Sequence, residues 1–267
     1  MNDRLTITIA DGVADVRLVR ADKMNALDPA MFAAISAAGE RLKTEPGLRA
    51  VVLSGEGRAF CAGLDMMSFA AMAGDKQTSA MRDLKARTHG IANMFQHIVW
   101  VWREVPVPVI AAVHGVAFGG GFQLMLGADM RYVAPDTKLS IMEIKWGLVP
   151  DMAGTQLLRT LVRDDIAREL AYTGRVFPAE EALRYGLATR VCDDPRGEAL
   201  AVAREIAAQS PHAVRAAKRL LNTAPFVTAE NGLIAESVEQ QALMGSANQT
   251  EAVKANLGKR PPRFADP

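Results

Sequence analysis

VPVIAAVHGVAFGGGFQLMLGAD, residues Val107 to Asp129, runs from an apolar, β-branched segment through three consecutive glycines into a helical pattern. Val107–His114 reads as a strand buried on both faces, because nothing in it alternates with polar residues. At Gly119-Gly120-Gly121 there is no Cβ to keep a ligand away from the backbone N–H groups. The helix that follows, through Phe122–Ala128, begins with unpaired N–H groups and a positive dipole end, an arrangement suited to an oxyanion. A phosphate-binding reading fails, since neither G-x-G-x-x-G nor a Gly-Lys-Ser/Thr follows the strand. Taken alone, the segment also fits a tight turn made for close helix–strand packing.

Outward from it, Gly55–Asp65 (GEGRAFCAGLD) repeats the design, a small glycine-bearing turn after the short apolar strand Leu48–Ser54. Two such turns could each aim one N–H at a single oxygen. Leu5–Ile9 and Val13–Val19 alternate as half-buried strands around Asp11-Gly12. Asp28–Lys43 is a helix with Asp28 as N-cap and Pro29 at the first position. Residues 66–104 read as largely helical, interrupted at Gly74 and Gly90. Met130–Ala134 and Lys138–Met142 are further strands; from Thr155 the chain turns helical, and after about residue 200 no strand is expected. Strand, crossover and helix recur, which gives an α/β fold with a helical C-terminal part.

Composition narrows the function. The 267 residues suit one large domain or a core with an appendage, and 49% hydrophobic content supplies a substantial core. With 31 basic against 30 acidic residues, a net charge of +1 argues against nucleic-acid binding on a broad basic field. Cys61 and Cys192 lack metal or redox spacing and read as reduced thiols of a cytoplasmic protein. No signal peptide and no membrane-spanning apolar run is apparent. The four histidines, His89, His97, His114 and His212, show neither metal spacing nor an evident nucleophile, so no metal is expected. Met66, Met67, Met72, Met81 and Met94 read as core packing first and as a pliable acyl pocket second.

Several segments in order resemble the enoyl-CoA hydratase/isomerase (crotonase) superfamily. They are Lys23-Met24-Asn25-Ala26-Leu27, Ala59-Phe60-Cys61-Ala62-Gly63-Leu64-Asp65, Pro108–Gly115, Gly119-Gly120-Gly121, Gly147-Leu148-Val149-Pro150 with Gly154-Thr155-Gln156, Thr173-Gly174, and Ala182 to Gly186-Leu187. The resemblance implies a crotonase (ClpP-like) spiral of ββα units. Residues 1–200 would form the core with the acyl-CoA site, and residues 201–267 a helical oligomerisation region, giving a homotrimer or a homohexamer built as a dimer of trimers. It implies an oxyanion hole from the N–H groups of Leu64 and Gly120, and coenzyme A bound by backbone around Lys23, Ala62 and Asp65. No cofactor is implied beyond the coenzyme A carried by the acyl-CoA substrate. Lys218, Lys259 and Arg260 are candidate phosphate contacts, though exposed charges are usually just solvated.

The carboxylates choose the reaction. Hydratases of this family share a water between two glutamates; Glu143 matches the second, but the first is Gln123, which cannot take a proton. Asp151, eight residues after Glu143, matches the aspartate of the double-bond-shifting members. The alternative role for Asp151 is a cap for the helix from Thr155. Glu143 is expected at the end of the apolar strand Leu139–Met142. Catalytic Glu143 and Asp151, with Gln123 orienting the thioester or a water, imply an enoyl-CoA or dienoyl-CoA isomerase-like enzyme. Hydration of a 2-enoyl-CoA is the alternative reaction, and a catalytically inactive acyl-CoA-binding protein the alternative of another class.

Overall fold

Strands β1 (Leu5–Ala10) and β2 (Val13–Leu18) form an antiparallel hairpin in which Leu5 faces Leu18 and Ala10 faces Val13. Asp11 and Gly12 both have positive φ, the backbone that a two-residue hairpin turn requires. The computed structural model of the chain describes residues 3–65 and 83–267. From β2 the chain crosses through α1 (Pro29–Lys43) to β3 (Ala50–Gly55), which pairs parallel to β2. Asp28 caps α1 as expected, its Oδ1 accepting the Met31 N–H at 2.7 Å.

The later crossings repeat this pattern. Helix α2 (Met94–Glu104) leads to β4 (Val109–Val113), and β5 (Val116–Phe118) with α3 (Gly120–Leu126) leads to β6 (Met130–Val133). The main sheet has the order β1-β2-β3-β4-β6-β9, β9 being Arg190–Val191, and every pair after the first hairpin is parallel. Every residue of β3 and β4 is buried, as fits strands covered on both faces. One face carries α1 and α2 with Trp102 and Phe122 in the main core; the other carries α7 (Pro195–Ala207) through Ala199 and Ala203. The expected division near residue 200 falls within this helix. Helices α1 and α2 approach so closely that a Cβ on Gly39 would collide with the Val101 side chain.

A second, smaller stack runs beside the main sheet. Its core is β5-β7-β8, where β7 is Lys138–Ser140 and β8 Phe177–Pro178. Single parallel bridges, Cys61 to Ala117 and Leu27 to Leu64, extend the stack across the glycine turns. Each turn of the chain thus contributes one strand to the main sheet and one short extended piece to the stack.

Two expectations change here. The strand expected through Met142 ends at Ser140, and Glu143 opens a 3₁₀ turn, Glu143–Trp146. Gly147 closes that turn in the left-handed region, which bends the chain away from the sheet. The helix near Thr155 is α4 (Gly154–Leu161); its N-cap is Ala153, with no side-chain cap hydrogen bond, so Asp151 does not cap it. Beyond it come α5 (Asp164–Thr173), α6 (Ala179–Tyr185), α8 (Pro211–Thr223), α9 (Ala229–Leu243) and α10 (Ala247–Leu257). The helical reading of 66–104 holds only for α2: residues 83–93 are turns and irregular chain with a His89–Ala92 bridge, and the part at 66–82, with Met66, Met67, Met72 and Met81, lies outside the described residues.

Candidate active site

The Cys61–Ala117 bridge sets the geometry of the first half of the site. Three residues on from Cys61 is Leu64, and three on from Ala117 is Gly120, so both turns leave from the same bridge. Gly63 and Gly120 are close enough that a Cβ on Gly63 would lie 3.7 Å from the Gly120 nitrogen. Gly120 is the first residue of α3, where a backbone N–H has no intrahelical acceptor. Neighbouring N–H groups are committed: Leu27 N donates to Gly63 O at 2.8 Å, Asp65 N to Leu27 O at 3.0 Å, and Gly119 N to Ser140 O at 3.0 Å. Gly121 is required by contact, since a Cβ there would collide with Cys61 O. The two glycine turns read from the sequence therefore do meet.

The turn carrying Lys23 is laced onto the same segment. Ala62 N donates to Met24 O at 2.9 Å, and buried Asn25 gives its amide to Glu56 O and Ala59 O. Met24 and Asn25 both take left-handed backbone, which lets the chain reverse beside Ala62. Lys23, Ala62 and Asp65 are thus brought together, with Lys23 exposed. The Asp65 carboxylate pairs with Arg20 Nη1 at 2.7 Å, so its side chain braces the turn. Asn25 and Arg20 are supports that motif reading did not single out.

The second half consists of side chains. Gln123, 1% exposed, projects from α3. Its amide oxygen accepts two backbone N–H groups, Met152 at 2.8 Å and Gly154 at 2.9 Å. That fixes the amide orientation, because only the NH₂ end can then face Glu143, and Nε2 donates to Glu143 Oε1 at 2.6 Å. Gln123 consequently holds Glu143, and its oxygen is not available to orient a thioester or a water. Glu143 lies beside the glycine turn: a Cβ on Gly119 would sit 3.3 Å from its Oε1. Its other oxygen, Oε2, is buried without a hydrogen-bond partner among the described residues. Burial pushes the Glu143 carboxyl above its ordinary range, with the Asp151 charge acting in the same direction and the Gln123 hydrogen bond opposing it.

Asp151 stands in the turn between Glu143 and α4. Desolvation raises its carboxyl too, but the residue is exposed in the single subunit, so the effect is weaker grounds for function than at Glu143. Beside Ala153 a cavity of about 660 Å³ opens between α2, α4 and the end of α8, lined by Trp100, Leu157, Phe226 and Val227 among others.

The remaining candidates resolve separately. Lys218 is buried, donating to Trp102 O, Val107 O and Asp129 Oδ2, and so does not offer its charge to a phosphate. Arg260 is paired with Glu251, whereas Lys259 is exposed. His114 Nε2 lies 2.9 Å from Gly57 O, in keeping with a structural role.

Comparison with known proteins supplies the context. The family model described as "Enoyl-CoA hydratase/isomerase" matches residues 8–267. The chain is 30% identical to the (E)-benzylidenesuccinyl-CoA hydratase of Thauera aromatica, over 97% of this chain and 98% of that one. It is 32% identical to the peroxisomal Delta(3,5)-Delta(2,4)-dienoyl-CoA isomerase of Arabidopsis thaliana, over 92% and 90%. The crystal structure of an enoyl-CoA hydratase from Bacillus anthracis superposes with a TM-score of 0.89 at 30% identity, covering 98% of both chains. The crotonase fold implied by the sequence motifs is the fold observed.

Proposed function

The chain belongs to the enoyl-CoA hydratase/isomerase family, and from that premise we propose that it shifts a double bond in an enoyl-CoA or dienoyl-CoA. The carrying observation is the pinned amide of Gln123, which puts a donor where a second water-activating carboxylate would stand. Leu64 and Gly120 N–H groups hold the thioester oxygen as negative charge gathers on it, which acidifies the adjacent carbon. Glu143, held by Gln123 and ionised, removes the proton from that carbon, and the extended enolate is reprotonated two carbons further along an enoyl chain or four carbons further along a 3,5-dienoyl chain. No atom is gained or lost. Asp151 is the partner in proton return, at a carboxyl with a different environment and hence a different pKa.

Coenzyme A enters with the substrate along the backbone of Lys23, Ala62 and Asp65, and the acyl tail runs past Ala153 toward the cavity beside α2 and α4. In this reading residues 201–267 form the contact between subunits of a trimer or hexamer. The support is that α9 buries none of its residues and leaves Leu233, Ile234 and Val238 exposed.

The test is a panel of enoyl-CoA positional isomers incubated with the protein and separated by mass and retention time. Migration changes retention at constant mass. A product heavier by one water makes the enzyme a hydratase, and no change in any isomer makes it a binding protein.

A further inference from the structure

Away from this site, the last turns of α1 and the length of α2 bring three potential ligands together. His97 and Glu104 are seven residues apart on α2, two helical turns, and so project from one face. Glu40, next to the Gly39–Val101 close approach, faces them from α1. One donor atom from each of Glu40, His97 and Glu104 lies within 4.8 Å of the other two. His97 Nε2 is 3.0 Å from Glu40 Oε1. The imidazole is 1% exposed, yet neither of its nitrogens has a hydrogen-bond partner of good geometry among the described residues. A buried ring in that condition, aimed at two carboxylates, is costly unless something else takes its lone pair.

A cation already bridges the two carboxylates. Lys43 Nζ sits 2.7 Å from Glu40 Oε1 and 2.9 Å from Glu104 Oε2. Its side chain is partly exposed at the helix end, so the ammonium can swing into water. We infer that Glu40, His97 and Glu104 form a divalent transition-metal site of the zinc type, with the Lys43 ammonium as the stand-in for the ion. One imidazole nitrogen and two carboxylates with a water in the fourth position match zinc; magnesium and calcium prefer all-oxygen shells. Bound zinc would tie the end of α1 to α2, the helix that feeds β4 and, beyond it, the oxyanion glycines.

Isothermal titration of the chelator-treated full-length protein with ZnCl₂ decides the matter, with MgCl₂ as the control ion. One saturable zinc site per chain is expected, together with a rise in Tm on zinc addition. Glu104→Gln and His97→Gln should each weaken zinc by more than about tenfold, the loss that follows even from disturbing a ligand's support. Lys43→Met removes the competing ammonium and should tighten zinc by about tenfold or more. Absence of saturable binding in the wild type, binding seen only in Lys43→Met, equal affinity for magnesium, or wild-type affinity in a folded Glu104→Gln each overturns the assignment.

Discussion

Leu64 and Gly120 present backbone N–H groups on a frame with no side-chain torsions, whereas Gln123, Glu143 and Asp151 present side chains graded from enclosed to open. In the first half a single parallel bridge joins the two turns, and the close contacts at Gly63 and Gly121 leave no room for a side chain there. In the second half, position depends on one hydrogen-bond chain, from Met152 and Gly154 through Gln123 to Glu143. The difference separates what is common to thioester chemistry from what selects a reaction. A rigid donor pair serves any enolate, while the side chains determine where protons and water go.

Substitutions that remove one half and spare the other sharpen this contrast. Glu143→Gln should have the largest effect, lowering double-bond migration by roughly 10²–10⁴ while acyl-CoA affinity in calorimetry stays near wild type. Because Glu143 acts ionised and its pKa is raised, kcat/KM should fall as pH drops through a value above about 4.3, the ordinary glutamate pKa. An acid limb at or below the ordinary value would break that assignment. Gly120→Val strikes the other half: even its Cβ would lie 2.9 Å from Leu27 Cδ1 and from Met152 Sδ. Turnover should drop by about 10²–10³ in a folded protein, the usual loss for one oxyanion donor. Near-normal turnover there would remove the donor pair from the mechanism.

Asp151→Asn should cost about 10², at the lower end of the range for a positioned acid or base, since this carboxyl is the open one. With no helix to cap, retention of full activity would leave Asp151 without a role and Glu143 as a lone base. Lys218→Met should leave kcat within a few-fold while reducing stability by about 3 kcal/mol, as the partly buried Asp129 loses its ammonium partner. Thermal unfolding measures that loss, and a large fall in kcat would mean that the two halves are less independent than their construction implies.

The approach of the two glycine turns was legible in the sequence because its information is local, whereas the choice of Leu64 and Gly120 as donors rested on the family resemblance. Glycines at 63 and 119–121 after apolar strands announce a close approach, and Asp28-Pro29 announces a helix start. The side-chain half was legible only in residue types. That Gln123 is pinned by Met152 and Gly154, and that Lys218 turns inward to Asp129, are contacts across 29, 31 and 89 positions that no local pattern encodes. Asp151 resembled a cap because Asp before a helical run usually is one; the left-handed Ala153 starts that helix instead. Glu40, His97 and Glu104 escaped any spacing rule, because two helices supply them.

In the proposed mechanism the donor at position 123 directs the enzyme to double-bond migration in place of water addition. This is tested by incubating one 2-enoyl-CoA and its 3-enoyl isomer with wild type and with Gln123→Glu, then measuring the ratio of isomer to water adduct by mass. Glutamate at 123 would face Glu143 across the present 2.6 Å contact, so the two carboxyls must share a proton, as a water-activating pair can. The expected result is isomer without water adduct from the wild type, and a water adduct appearing with Gln123→Glu. Water adduct as the main product of the wild type would contradict it.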